Sequence, residues 1–167
     1  MNDQVDKIRK LLSEFETALL VTHTHGNETP FHGRPMVIAH VEPNCDIWFF
    51  TGRSSAKAKE IENDERVLIV CQDEMSRYLT LNAAAKLIFD RNKAAEFWKE
   101  SYQTWFPGGV NDPELVLIRA QAVFAEYWET SGFQSVRYLF EAARAYVRGT
   151  QPHVREGEQH GTVNFSE

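Results

Sequence analysis

Val5, Ile8, Leu11, Leu12 and Phe15 recur at helical spacing and predict an amphipathic helix over about Asp3–Glu14. ALLVTH (Ala18–His23) then reads as a strand. HGNETP reads as a turn rich in Gly, Asn and Pro, and FHGRPMVIAHV (Phe31–Val41) as a second strand, so the two form a hairpin. After the turn EPNCD, DIWFFT (Asp46–Thr51) is a third strand. SSAKAKEIENDE (Ser54–Glu65) has helix-forming composition, with Ser54 as a candidate N-cap. RVLIVCQD (Arg66–Asp73) and YLTLNAAAKLIF (Tyr78–Phe89) predict two more strands joined by the polar link EMSR. Asp90 caps a predicted helix to about Tyr102, with Ala94, Phe97 and Trp98 as its apolar stripe. FPGGVNDPE is a loop, and LVLIRAQAVFAEYWE (Leu115–Glu129) a long final strand. A last helix is expected over Gln134–Val147. From Gly149 onward the chain is polar and aperiodic, so this tail is either disordered or ordered only by a partner surface.

Six strands in mostly hairpin succession, with helices between some of them, predict a mainly β, α+β fold, an antiparallel barrel rather than a doubly wound sheet. No GxGxxG follows the first strand, which argues against a Rossmann site. The 167 residues suffice for one well-buried core, read as a domain over 1–150 followed by the tail over 151–167.

The net charge of −6 disfavours nucleic-acid or anionic-membrane partners, because the long-range field would repel them; any anion must be held by a local cationic site. No run approaches the roughly 18 apolar residues of a membrane span. The N-terminal MNDQVDKIRK lacks a signal-peptide core, so a cytoplasmic location is expected. Cys45 and Cys71 show no CxxC spacing and are read as free thiols.

One stretch breaks a local rule. The helix beginning at Ser54 carries Arg53, Lys57 and Lys59 at its start and Glu60, Glu62, Asp64 and Glu65 toward its end, opposing the helix dipole. An anion at the helix start would reverse that penalty, because backbone N–H groups, hydroxyls and cations would all face negative charge. A phosphate monoester fits, with Thr51, Ser54, Ser55 and Lys57 as donors and Arg34 adding a planar fork from the neighbouring strand. The bland alternative leaves Lys57 and Lys59 as solvated charges paired with Glu60 or Glu62.

These same residues carry a resemblance. HGRPMVIA (His32–Ala39), WFFTGRSSAKAKEIENDERVLIV (Trp48–Val70), WFPGGVNDPELVLIRAQAVFAEYWE (Trp105–Glu129) and the late YVRGTQP with HGTV make the chain similar to the general stress protein branch of the pyridoxamine 5'-phosphate oxidase-like, FMN-binding split-barrel superfamily. The resemblance implies a six-stranded split barrel that binds FMN, with FAD as the alternative flavin, between the subunits of a homodimer. It also implies that Arg34, Thr51, Ser55 and Lys57 hold the flavin phosphate. The ring would then run beside the Arg34–Ala39 strand, hence Pro35, Met36 and Val37, with Phe50 nearby. Two features depart from the superfamily. TLNAAAKL has alanines where a glycine is common, and the C-terminal HGTVNFSE lacks the Arg- and His-bearing substrate segment of true pyridoxamine phosphate oxidases.

Among the aromatics, Trp105, Phe106 and Trp128 are candidates to shield the ring, against a default role in the core or a dimer interface; Trp105 is assigned to the cofactor site. His23, His25 and His32 are close enough in sequence to suggest a metal, but the absent carboxylate or cysteine pattern argues for none. His40 is read as a packed side chain. No nucleophile motif is present and no catalytic residue is assigned. Two functions follow: a flavin-dependent oxidoreductase, in which the cofactor does the chemistry, or a non-catalytic stress protein that stores, buffers or senses flavin.

Overall fold

In a computed structural model the described residues are 3–24, 30–73, 77–129 and 160–165. The predicted helix over 134–147 and His25 lie outside them. Helix α1 (Asp3–Glu14) buries Ile8, Leu11 and Leu12, the stripe expected from its spacing. Strands β1 (Thr17–His23) and β2 (Phe31–Val37) form the predicted hairpin, with Leu19 opposite Pro35 and Leu20 opposite Arg34.

The second predicted strand does not run unbroken to Val41. At Ile38 its backbone N–H turns to the carbonyl of Glu16 (2.9 Å), and that of Ala39 bonds the carbonyl of Trp48 (2.8 Å). The chain thereby leaves β1 and continues as β3 (His40–Val41) on β4 (Ile47–Gly52) at the opposite edge of the sheet. After α2 (Ala56–Asn63) come β5 (Arg66–Gln72), β6 (Tyr78–Ile88), α3 (Arg91–Phe97) and β7 (Leu115–Trp128). The sheet order is β2-β1-β5-β6-β7-β4-β3, with every pair antiparallel. This is an α+β split barrel, its two edges formed by consecutive strands. Its core holds Leu20, Ile47, Phe49, Ile69, Leu81 and Ile118, all at most 1% exposed.

Two further differences from the sequence reading are tertiary in origin. The helix after Asp90 starts as expected, with the Asp90 carboxylate accepting from the N–H groups of Asn92 (2.9 Å) and Lys93 (3.0 Å). It stops at Trp98, however, and a 3-10 turn over Glu100–Thr104 turns Tyr102 inward onto Phe50 (ring centroids 4.7 Å apart). The tail also contributes β8 (His160–Asn164), an eighth strand pairing with β7 of the same chain. Its Val163 is 3% exposed and belongs to the main core, and a side chain at Gly161 would come 2.7 Å from the Tyr127 hydroxyl. Both cysteines are buried free thiols, pushed up to about 12 by burial.

If β8 is part of the barrel, Val163→Ala removes two buried methyl groups and should cost about 2 kcal/mol in urea unfolding. Thr162→Ala, on the exposed face of the same strand, should stay within about 0.5 kcal/mol of wild type. Equal, negligible effects would detach β8 from the folded unit.

Candidate functional site

Where the hairpin strand β2 ends the sheet order, one edge of its backbone carries no neighbouring strand among the described residues. Pro35 is tolerated there because no ladder donor is missed. Against this stretch lies a cavity of about 420 Å³, lined by Pro35, Met36 and Val37 of β2, Phe50, Thr51 and Gly52 of β4, Lys57 of α2, and Tyr102, Trp105, Phe106 and Glu114 from the segment between α3 and β7. That volume falls within the roughly 300–1,000 Å³ typical of small-molecule sites. One flank is apolar and aromatic: Phe50 packs on Trp98 and Tyr102, while Trp105 stands 64% exposed at the mouth. The Tyr102 hydroxyl is buried and has no hydrogen-bond partner among the described residues. A buried hydroxyl left unpaired costs about 1–3 kcal/mol, a penalty a ligand acceptor could relieve.

The other end is polar. Ser55, rather than Ser54, is the N-cap of α2, its hydroxyl accepting from the Ala58 N–H (3.3 Å) and lying 3.1 Å from Thr51 Oγ1. Ser54 instead donates through its N–H (3.0 Å) and hydroxyl (2.6 Å) to the Glu114 carboxylate. Those bonds lower the Glu114 pKa. Lys57, half-buried in the first turn, makes no hydrogen bond or ion pair with any described residue. Burial, and then the nearby Arg34 charge, lower its pKa, with Glu60 pulling the other way.

Arg34 sits differently from its neighbours. Its side chain does not line the cavity; Nη1 donates to Thr22 Oγ1 (2.9 Å) and Glu60 Oε2 (2.9 Å), and Nη2 to Glu60 Oε1 (3.1 Å). Thr22 Oγ1 also donates to Glu60 Oε2 (2.6 Å), and His32 Nδ1 lies 2.9 Å from Oε1. Burial would raise the Glu60 carboxyl, but the hydrogen bonds from Arg34, Thr22 and His32, with the Arg34 charge, hold it down at about 2. Part of the inverted charge order is thus locally explained: Glu60 serves Arg34, and Asp64 pairs with Arg66 (2.6 Å). Lys57 is not.

Of the nine residues assigned from the sequence, the cavity gathers Pro35, Met36, Val37, Phe50, Thr51, Lys57 and Trp105. Ser55 stands behind Thr51, and Arg34 is turned to Glu60. Tyr102 and Glu114 escaped notice. No local pattern marks them, because the end of α3 and the pairing of Glu114 with Ser54 put them there. His32 faces Glu60, His23 packs on Phe31 (4.8 Å), and no group of three metal-ligating side chains occurs among the described residues. His40 stacks on Phe97 (4.4 Å).

A sequence model of the family described as pyridoxamine 5'-phosphate oxidase like matches residues 3–153. The chain belongs to the pyridoxamine 5'-phosphate oxidase-like family. No curated protein matched it. Solved structures share the fold of this family member. A candidate general stress protein 26 from Jannaschia sp. CCS1 is 24% identical with a TM-score of 0.72, the match covering 98% of this chain and 99% of that one. General stress protein 26 of Bacillus anthracis str. Sterne is 23% identical, TM-score 0.67, over 75% and 94% of the two chains. A protein of Xanthomonas citri described as a general stress FMN/FAD binding protein is 24% identical, TM-score 0.65, over 78% and 92%. Within this pyridoxamine 5'-phosphate oxidase-like barrel, no helix of the described residues is long and apolar enough to cross a membrane.

The low Glu60 value sets a pH dependence. Its folded value lies below the ordinary 4.5, so the stability it contributes is present above about pH 4.5 and lost as pH falls through that value toward 2. Wild type should therefore lose stability across this window more steeply than Glu60→Gln, measured by urea midpoints at a series of pH values. Parallel curves would show that Glu60 is not held in its charged form.

Proposed function

We propose that the cavity beside β2 binds FMN, with the isoalloxazine ring along Pro35, Met36 and Val37, Phe50 and Trp105 flanking it, and the phosphate at the start of α2. The observation that carries this reading is Lys57, a half-buried cation with no partner among the described residues, at the positive end of a helix and on the same cavity as the aromatic flank. Thr51 and Ser55 put two hydroxyls beside it, and first-turn backbone N–H groups add to the same field. Arg34 contributes positive charge nearby.

The fit extends to the ring. The open backbone edge of β2 offers donors and acceptors to a heterocycle, and Tyr102 contributes to the cavity wall. Family membership and the flavin named for the Xanthomonas citri protein favour a flavin over other phosphate esters. The bound flavin would supply electron transfer; the chain's own residues bind the phosphate, orient the ring and shield one face from water. We read the protein as an oxidoreductase of the cytosol on this basis. Reduction of the holoprotein by NADH or NADPH with continued turnover would separate that role from flavin storage or sensing.

A homodimer belongs to the same proposal. On the outer face of the sheet, Leu19 (41% exposed) is flanked by Pro35 and Val70, and Val21 by Gly33 and Leu68. This apolar strip runs to Val37 (39% exposed) at the edge of the cavity. A second copy packed there would bury it and close the cavity mouth. Light scattering at micromolar concentration with FMN should return the mass of two chains; a single-chain mass would refute the dimer.

The phosphate reading has its own test in titrations with FMN and riboflavin, which differ only in that group. FMN should bind at least tenfold more tightly to wild type, and equal affinities would refute the reading. Lys57→Gln should bring the two affinities together. The same change should raise the melting temperature of the flavin-free protein by about 1–4 °C, because it removes a cation from the positive end of a helix, worth about 0.3–1 kcal/mol.

A further inference from the structure

Phe89 follows β6 and leaves its ring 61% exposed; among the large apolar side chains of the described residues only Trp105, at the cavity mouth, is more open. Backbone pairing fixes its place. Thr51 of β4 pairs with Val116 of β7, and Ile88 of β6 pairs with Leu117, the next residue along β7. Phe89 therefore stands two strands across from Thr51, about 10 Å away at ordinary strand spacing. Arg53, two residues beyond Thr51, brings its guanidinium to 5.3 Å from the centre of the Phe89 ring. That side chain is exposed and makes no hydrogen bond or ion pair with any described residue. The hollow beside Phe89 holds about 40 Å³, too little to enclose a heterocyclic base, so the ring is an open stacking face. Of the other charged groups nearby, Arg91 is tied to the Val110 carbonyl (2.8 Å), the Asp90 carboxylate caps α3, and the Glu114 carboxylate is held by Ser54.

We propose that Arg53 and Phe89 form an adenosine subsite continuing the flavin site, so that the chain takes FAD as well as FMN. With the flavin's own phosphate at Lys57 and the α2 start, the second phosphate of FAD reaches Arg53 and the adenine stacks on Phe89. The proposal rests on the flavin-phosphate reading and extends it outward by one nucleotide. Lys57 lines the cavity and Arg53 does not. The two cations, four residues apart on either side of Ser54 and Ser55, thus match the two phosphates of a dinucleotide one to one, whereas a monoester inside the cavity leaves Arg53 without a task. An exposed aromatic face beside a cation is the chemistry with which proteins hold an unpaired base and its phosphate.

Titrations of wild type, Phe89→Ala and Arg53→Gln with riboflavin, FMN and FAD carry the test. Both side chains are exposed, so neither change empties the core. Wild type is expected to bind FAD within about tenfold of FMN, because stacking on Phe89 offsets the charge that the inner phosphate loses as a diester. Phe89→Ala should weaken FAD at least about fivefold while FMN and riboflavin stay within about twofold of wild type. Arg53→Gln should weaken FAD at least about threefold, again with FMN within about twofold. An FAD affinity indifferent to Phe89→Ala, as expected of a phenylalanine that serves only a protein contact, would overturn the proposal. Equal losses for FMN and FAD, or a wild type that takes FAD more than about tenfold less tightly than FMN, would do the same. Equal affinities of wild type for riboflavin and FMN would refute the phosphate reading on which the subsite rests. A clear preference for FMN over riboflavin, with FAD unaffected by both changes, would refute the adenosine subsite alone.

Discussion

A half-buried ammonium at the positive end of a helix works against folding. Lys57 sits there with its pKa lowered by burial and by Arg34, and no described residue pairs with it. Placed anywhere on the solvated face of α2, the same lysine would avoid that penalty. The arrangement makes physical sense with a negative charge in the cavity. Much of the surrounding structure holds that place open: Ser55 caps the helix, Thr51 braces Ser55, and Glu114 ties down Ser54.

The barrel supplies the second constraint. Because β2 breaks from β1 at Ile38 and the chain crosses to β4, the sheet is left split, with an open backbone edge at Pro35–Val37 beside the cavity. The 3-10 turn that interrupts the predicted helix brings Tyr102 against Phe50, and the glycine-rich loop carries Trp105 and Phe106 to the far wall. That loop is fixed by Asp112, whose carboxylate accepts from the Gly108 N–H, and by a positive φ of 65° at Gly109. The aromatic flank and the polar end of the cavity thus come from separate segments, and Glu60 of α2 bonds to Arg34 and Thr22 of the hairpin.

Much of this was legible in the sequence where the signal is local. The short apolar runs in ALLVTH, WFFT and RVLIVCQ, bounded by turn residues, mark β1, β4 and β5, and the misplaced charges around Lys57 mark the polar end of the cavity. The misreadings are non-local. Nothing in VIAHV announces the break at Ile38, because its cause lies in the carbonyls of Glu16 and Trp48. HGTVN is too short and polar to read as a strand until β7 offers it an edge. Arg34 has the residue type and position of a phosphate ligand, and only the placement of Glu60, 26 residues later, shows its guanidinium already engaged. Family membership carries the fold.

The most direct test is a crystal structure of the protein grown with FMN. The account predicts the flavin ring along Pro35–Val37 and its phosphate within hydrogen-bonding distance of Lys57 Nζ and the α2 start. A flavin bound elsewhere, or a phosphate out of reach of Lys57, would contradict it.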